Sequence, residues 1–182
     1  MLSREEKRVL LEIAREAIQE ELLGTQTKRV PPEGLQLVSK RGLFVTLTKG
    51  GELRGCIGRV ESRDPLFRLV AEMARAAALD DPRFSPLTVA ELPKIEIEIS
   101  VLSPLEPLED VKTIEIGRDG LMVRRGFASG LLLPQVASNH RWSREEFLSQ
   151  VCIKAGPGRE AWREKRTEFF SFTAEVFSEK DV

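Results

Sequence analysis

The chain has one histidine and two cysteines among its 182 residues, and no long uninterrupted apolar run. Each shortage excludes a class. Crossing a bilayer as a helix takes about 20 apolar residues, and no segment approaches that length, so no membrane span is expected. Two cysteines, Cys56 and Cys152, are too few for the disulfide framework of a small secreted scaffold. His140 with two distant cysteines matches no common zinc spacing. The chain opens on a charged amphipathic run and not on a signal peptide. These absences predict a cytoplasmic protein with free thiols and no protein-built zinc site, although 29 acidic residues leave oxygen ligation of Mg²⁺ or Ca²⁺ open. With 28 basic residues against those 29, no strong field favours nucleic acid. Arg159, Arg163, Lys165 and Arg166 lie close together, a local basic patch or, as such runs more often are, a solvated helix or loop face. No P-loop, dinucleotide fingerprint or Ser/His/Asp order is present, so no cofactor is expected.

What is present reads as an α+β protein with a mainly antiparallel sheet, residues 1–182 forming a single domain with no clean linker, long enough for one good core or two small lobes. Ser3 and Glu6 make a capping box, followed by Leu10, Ile13, Ala14, Ala17 and Ile18 at helical spacing, with Gly24 as the stop. Thr25 to Ser39, rich in proline and glycine, reads as a loop. Leu43–Thr48 and Leu53–Val60 read as a hairpin closed by Gly50-Gly51. Asp64 is expected to cap a helix that begins at Pro65, buries Leu66, Leu69, Val70 and Met73, and ends near Leu79. Ile95, Ile97, Ile99 and Val101 alternate with Glu96, Glu98 and Ser100, a strand with one wet face. Short strands are expected at Thr113–Ile116, Leu121–Arg124 and Leu131–Leu133. Ser143 and Glu146 form a second capping box ahead of a helix ending at Gly156. In the last strand Phe170, Phe172, Ala174 and Val176 share a face.

Chemistry concentrates in Leu53-Arg54-Gly55-Cys56-Ile57-Gly58. In a strand Arg54, Cys56 and Gly58 share one face. A guanidinium two residues from a thiol favours the thiolate, its reactive form, and two glycines allow close backbone approach. A structural reading stands beside this one. A two-residue turn sets Val45 opposite Cys56 and Leu47 opposite Arg54, making Cys56 a small packed hydrophobe. Elsewhere, His140 is a candidate general base or a plain surface residue. Arg83 either clamps an anion or pairs with Asp80 or Asp81. Gln135 and Asn139 either read a ligand or satisfy loop backbone.

Several segments together, Leu53-Arg-Gly-Cys-Ile-Gly58, Asp81-Pro-Arg-Phe-Ser-Pro-Leu87, Gly130-Leu-Leu-Leu-Pro-Gln-Val-Ala137, Trp142, Phe147-Leu148, Cys152-Ile-Lys-Ala-Gly156 and Phe172-Thr-Ala-Glu-Val-Phe177, resemble the AMMECR-type domain family, whose prokaryotic members are called protein A of the AmmeMemoRadiSam system. The resemblance implies an α+β fold of two packed lobes and a functional association with a Memo-like protein and a radical S-adenosylmethionine protein. The family has no established activity; its usual suspect for a site falls here on Arg54, Gly55, Cys56, Ile57 and Gly58. Asn139 stands where members often carry Glu, which removes a titratable group, and Gly156-Pro157-Gly158 departs from the usual leucine after Lys-Ala-Gly. Three functions stay open. One is an enzyme or enzyme component in which Cys56, activated by Arg54, acts as nucleophile or redox thiol on a small anionic substrate or a modified protein side chain, with Arg83 and Gln135 positioning the substrate and His140 carrying a proton. The second is a non-catalytic interaction module. The third is nucleotide or RNA binding through Arg54, Arg83 and Arg124–Arg125, against which the charge balance counts.

Overall fold

The computed structural model describes residues 1–25 and 36–182, so most of the expected loop from Thr25 to Ser39 lies outside the described residues. Two compact units result, one built from Met1–Leu102 with Glu175–Val182, the other from Ser103–Ala174. The elements are α-helical and antiparallel β, an α+β fold.

In the first unit, α1 (Arg4–Leu23) starts where expected: the Ser3 hydroxyl accepts from the Glu6 N–H and the Glu6 carboxylate accepts from the Ser3 N–H. It stops at Gly24, whose φ of 66° ends the helix without a Cβ penalty. β1 (Leu43–Lys49) lies between β2 (Glu52–Arg59) and β3 (Ile95–Leu102). Gly50 and Gly51 take φ of 62° and 86°, as a tight hairpin turn requires. α2 (Leu66–Leu79) packs on β1 and β2, and α1 packs on α2 and β3. Val45, Leu47, Ile97, Ile99 and the helical Leu10, Ile18, Leu69 and Val70 form one buried cluster, which Phe177 joins. Arg15 ties the Glu175–Val182 segment down, donating to both Glu179 carboxylate oxygens and to the carbonyls of Leu92 and Ile95.

Asp64 does not cap α2. Pro65 occupies the N-cap, and the N–H groups of Leu66 and Phe67 donate to the carbonyls of Ser39 and Leu37 at 3.0 and 3.1 Å. A neighbouring backbone satisfies the donors that a side chain was expected to take.

In the second unit, β5 (Asp119–Arg125) lies between β6 (Ala128–Leu132) and β7 (Glu168–Ser178), and the two-residue β4 (Glu106–Pro107) pairs with β7. Two helices follow β6, α3 (Pro134–Asn139) and α4 (Arg144–Ala155), and Phe147, Leu148, Val151 and Cys152 of α4 sit in a second buried cluster. The strand expected at Thr113–Ile116 is absent. Val111–Thr113 is instead a 3₁₀ turn, because the Asp110 carboxylate takes the Lys112 N–H at 2.8 Å and its carbonyl takes the Thr113 hydroxyl at 2.7 Å. The second capping box forms only by half. Ser143 accepts from the Glu146 N–H, but the Glu146 carboxylate is drawn to Gln150 and Arg159. In β7 the buried phenylalanines are Phe169, Phe172 and Phe177, not the expected alternate set. Phe170 keeps the wet side, with the Arg124 guanidinium 5.1 Å from its ring centre. Among the described residues no helix is long and apolar enough to cross a membrane.

Candidate functional site

The register of the first hairpin decides what Cys56 is. A two-residue turn pairs Lys49 with Glu52 and Thr48 with Leu53, as expected, but the next pair is Leu47 with Gly55, and Arg54 is left over as a bulge. Because side chains alternate along a strand, this one-residue slip changes the face every later residue takes. Cys56 therefore stands opposite Thr46, not Val45, and faces away from α1 and α2. It is half-buried, and the Thr46 hydroxyl lies 3.3 Å from its sulfur. The packed-hydrophobe placement is overturned by this bulge.

The bulged residue is held by an ion pair. Arg54 donates through Nε and Nη2 to the two carboxylate oxygens of Glu91, both at 3.1 Å, and its side chain is only 12% exposed. Glu91 also takes Lys49 Nζ at 2.7 Å and the N–H and hydroxyl of Thr88 at 3.1 Å. Arg54, then Lys49, then Thr88 hold the Glu91 carboxyl well below the usual carboxylate range. The guanidinium expected to serve the thiol is thus committed to a carboxylate 37 residues away.

The segment after α2 is pinned to the same strand. The Cys56 N–H donates to Asp81 Oδ2 at 2.8 Å. Arg83 donates to the same carboxylate through Nε at 2.9 Å and Nη2 at 2.6 Å, and Nη2 also reaches the Cys56 carbonyl at 3.2 Å. Hydrogen bonds from Arg83, joined by the Cys56 N–H, hold the buried Asp81 carboxyl well below its ordinary range against the opposing effect of burial. Asp81 and Arg83 together clasp both backbone groups of Cys56. Arg83 remains 53% exposed, and among the described residues its Nη1 has no partner. The guanidinium carbons of Arg54 and Arg83 lie 5.9 and 5.5 Å from the Phe84 ring centre.

The two glycines of the motif answer to packing. A Cβ on Gly55 would lie 2.1 Å from the Ala77 carbonyl oxygen of α2, and one on Gly58 would lie 2.3 Å from the Phe44 ring. Cross-strand pairing extends the Cys56 position into a row, Cys56–Thr46–Glu98, over β2, β1 and β3. Burial raises the Glu98 carboxyl above the ordinary carboxylate range, with Asp181 and Glu96 adding to the effect. Sequence reading singled out neither Thr46 nor Glu98. The alternation of β3 marked Glu98 as wet-faced, but only the bulged register places it in line with Cys56.

Gln135, Asn139 and His140 belong to the second unit, on α3 and at its C-terminal end. His140 is exposed and stacked on Trp142, with ring centres 4.6 Å apart. Arg54, Gly55, Cys56, Gly58 and Arg83 are gathered in the first unit. Cys152 is fully buried, and burial pushes its thiol up to about 11. Among the described residues no group of three or more His, Cys, Asp or Glu is placed to hold a metal. The basic residues that read as a solvated face are partly neutralised, Arg159 by Glu146 and Arg163 by Glu160.

Comparison with known proteins agrees with this architecture. The AMMECR1 family model matches residues 11–177. A protein of Methanothermobacter thermautotrophicus is 46% identical over 98% of this chain and 96% of its own. Protein MK0488 of Methanopyrus kandleri is 45% identical over 99% of this chain and 91% of its own. The crystal structure of uncharacterized protein PH0010 from Pyrococcus horikoshii matches with a TM-score of 0.86 at 41% identity, covering 94% of this chain and 90% of that one. A family match over most of the length, relatives at this identity and a shared fold lead to one conclusion: the chain belongs to the AMMECR1 family.

Proposed function

We propose that the chain is an enzyme component that works through the Cys56 face of its first sheet. The observation that supports this reading is the bulged register, which turns the thiol away from the helices and sets it beside a hydroxyl, with a desolvated carboxyl next in the row. A hydroxyl donating to sulfur stabilises the thiolate, the nucleophilic form. A carboxyl raised toward neutrality is suited to take and return a proton, so Glu98 replaces His140 as the proton carrier in this reading. Arg54 acts as a positioning residue, and Arg83 offers its free edge to an anionic group on the substrate. The substrate class is a small anionic electrophile or a modified protein side chain: sulfur bonds to the electrophilic centre as the bond to a leaving group breaks with its electron pair, and the thiol proton is relayed through the Thr46 hydroxyl and Glu98 to that leaving group. The partners in this reading are a Memo-like protein and a radical S-adenosylmethionine protein, as the family resemblance implies.

Iodoacetamide labelling of the folded protein, read by peptide mass spectrometry, tests the thiol. Cys56 is expected to label natively and Cys152 only after unfolding. Thr46→Val and Glu98→Gln should slow Cys56 labelling several-fold while leaving the melting curve cooperative. A Cys56 that resists labelling until the protein unfolds defeats the reading.

A non-catalytic interaction module is the second reading. It is favoured by the fact that Gly55, Gly58, Asp81 and Arg54 are all accounted for by packing and pairing, and by Phe127, fully exposed in the turn between β5 and β6. It predicts that Cys56→Ser leaves partner capture unchanged while Phe127→Ser weakens it. Nucleotide binding draws less support, since Arg124 lies on Phe170 and Arg125 pairs with Glu164.

A further inference from the structure

Arginines withdrawn from solvent need their charge answered. Arg15 and Arg54 each hold a carboxylate through two nitrogens. Arg41, at the entry to β1, does not. Its Nε donates to the Leu102 carbonyl at 2.8 Å, and among the described residues its two terminal nitrogens have no acceptor. The side chain is half-buried, and desolvation lowers its pKa, with Glu175 opposing. Glu175 is the carboxylate that opposes this shift, and its oxygens are already taken by the Leu2 N–H at 3.1 and 3.2 Å and by Lys7 Nζ at 3.0 Å. One carboxylate therefore serves two cations, and it touches the other one.

The base of Arg41 is also held still. A Cβ on the next residue, Gly42, would lie 1.9 Å from the Val60 carbonyl oxygen, and the Gly42 carbonyl accepts from the Leu102 N–H at 2.9 Å. The backbone is thus wedged between the ends of two neighbouring strands, and the Leu102 bond fixes the guanidinium plane. A fixed fork with two unused donors suits an oxyanion, because phosphate and carboxylate each offer two oxygens at matching spacing. We infer that Arg41 anchors an oxyanion-binding site at the entry to β1, taking the phosphoryl or carboxylate group of a small ligand end-on through Nη1 and Nη2. The site uses none of the residues of the Cys56 face, and its failure would leave the thiol reading standing.

The test uses the full chain. Melting is followed in sodium phosphate and in sodium acetate, each against sodium chloride at equal ionic strength. A saturating rise in Tm above the chloride control is expected with at least one of the two, and the anion with the lower half-saturation identifies the group as phosphoryl or carboxylate. Arg41→Gln should abolish the anion-dependent rise, and Arg41→Lys, which keeps the charge but loses the fork, should shift half-saturation upward about tenfold. Only the anion-dependent increment is scored, since both variants also lose the Leu102 bond. The inference is overturned if neither anion exceeds chloride, or if Arg41→Gln responds like the parent. Should Arg41→Gln fail to fold, Arg41→Lys decides, and an unchanged half-saturation overturns it.

Discussion

Gly55 and Asp81 are the residues on which the Cys56 segment depends. An added methyl at Gly55 meets a helix carbonyl at 2.1 Å, and backbone, unlike a long side chain, has nowhere to go. Gly55→Ala is therefore expected to cost about 3 kcal/mol or to prevent folding, measured by urea unfolding. Asp81 acts by charge as well as by shape. Its carboxyl protonates below the ordinary range when folded, so its contribution is complete above about pH 4 and is lost as pH falls through the folded value. Asp81→Asn should lower stability at neutral pH by about 2–3 kcal/mol and flatten the loss of stability below about pH 4. A variant as acid-sensitive as the parent would assign the acid response to other carboxylates, Glu91 first among them.

At the scale of elements, the hairpin shows why a local rule can be right and its consequence wrong. Gly50 and Gly51 read as a two-residue turn, and they form one. The register beyond the turn slips by one residue at Arg54, and no window of the sequence around the turn contains its carboxylate partner Glu91. The same division recurs along the chain. The first capping box was legible because both halves lie within four residues. The second lost its returning half to Arg159, and the cap of α2 went to two carbonyls before residue 40. Arg54, Cys56 and Arg83 could be picked out by residue type, whereas Thr46 and Glu98 needed strand order and register. Turn chemistry itself remains testable. Gly51→Ala should cost about 1 kcal/mol because its φ is positive, while Gly50→Asn should be nearly neutral, since asparagine tolerates that region and is favoured at the first turn position. Equilibrium urea curves separate the two.

For the molecule as a whole, the second unit is an insertion in the first. The chain leaves the first unit after Leu102 and returns at Glu175, and the two ends of the inserted stretch are bonded, the Ser103 N–H to the Thr173 carbonyl at 2.9 Å and the Thr173 N–H to the Ser103 hydroxyl at the same distance. The returning segment brings in Phe177, which is almost wholly buried in the first core, and Glu179, which takes Arg15. Phe177→Ala is expected to destabilise by about 3–5 kcal/mol, more than Arg15→Ala, since burial outweighs a partly exposed ion pair. Thermal melting ranks the pair. The returning segment also sets a timetable for synthesis. Ribosomes add roughly 5–20 residues per second, so several seconds separate the emergence of β3 from that of Phe177. Throughout that interval the nascent first unit has its hairpin and helices but lacks a piece of its core, and Arg15 awaits its carboxylate. The inserted stretch, by contrast, has all its residues before the first unit does. The portion of the protein translated first is the portion completed last.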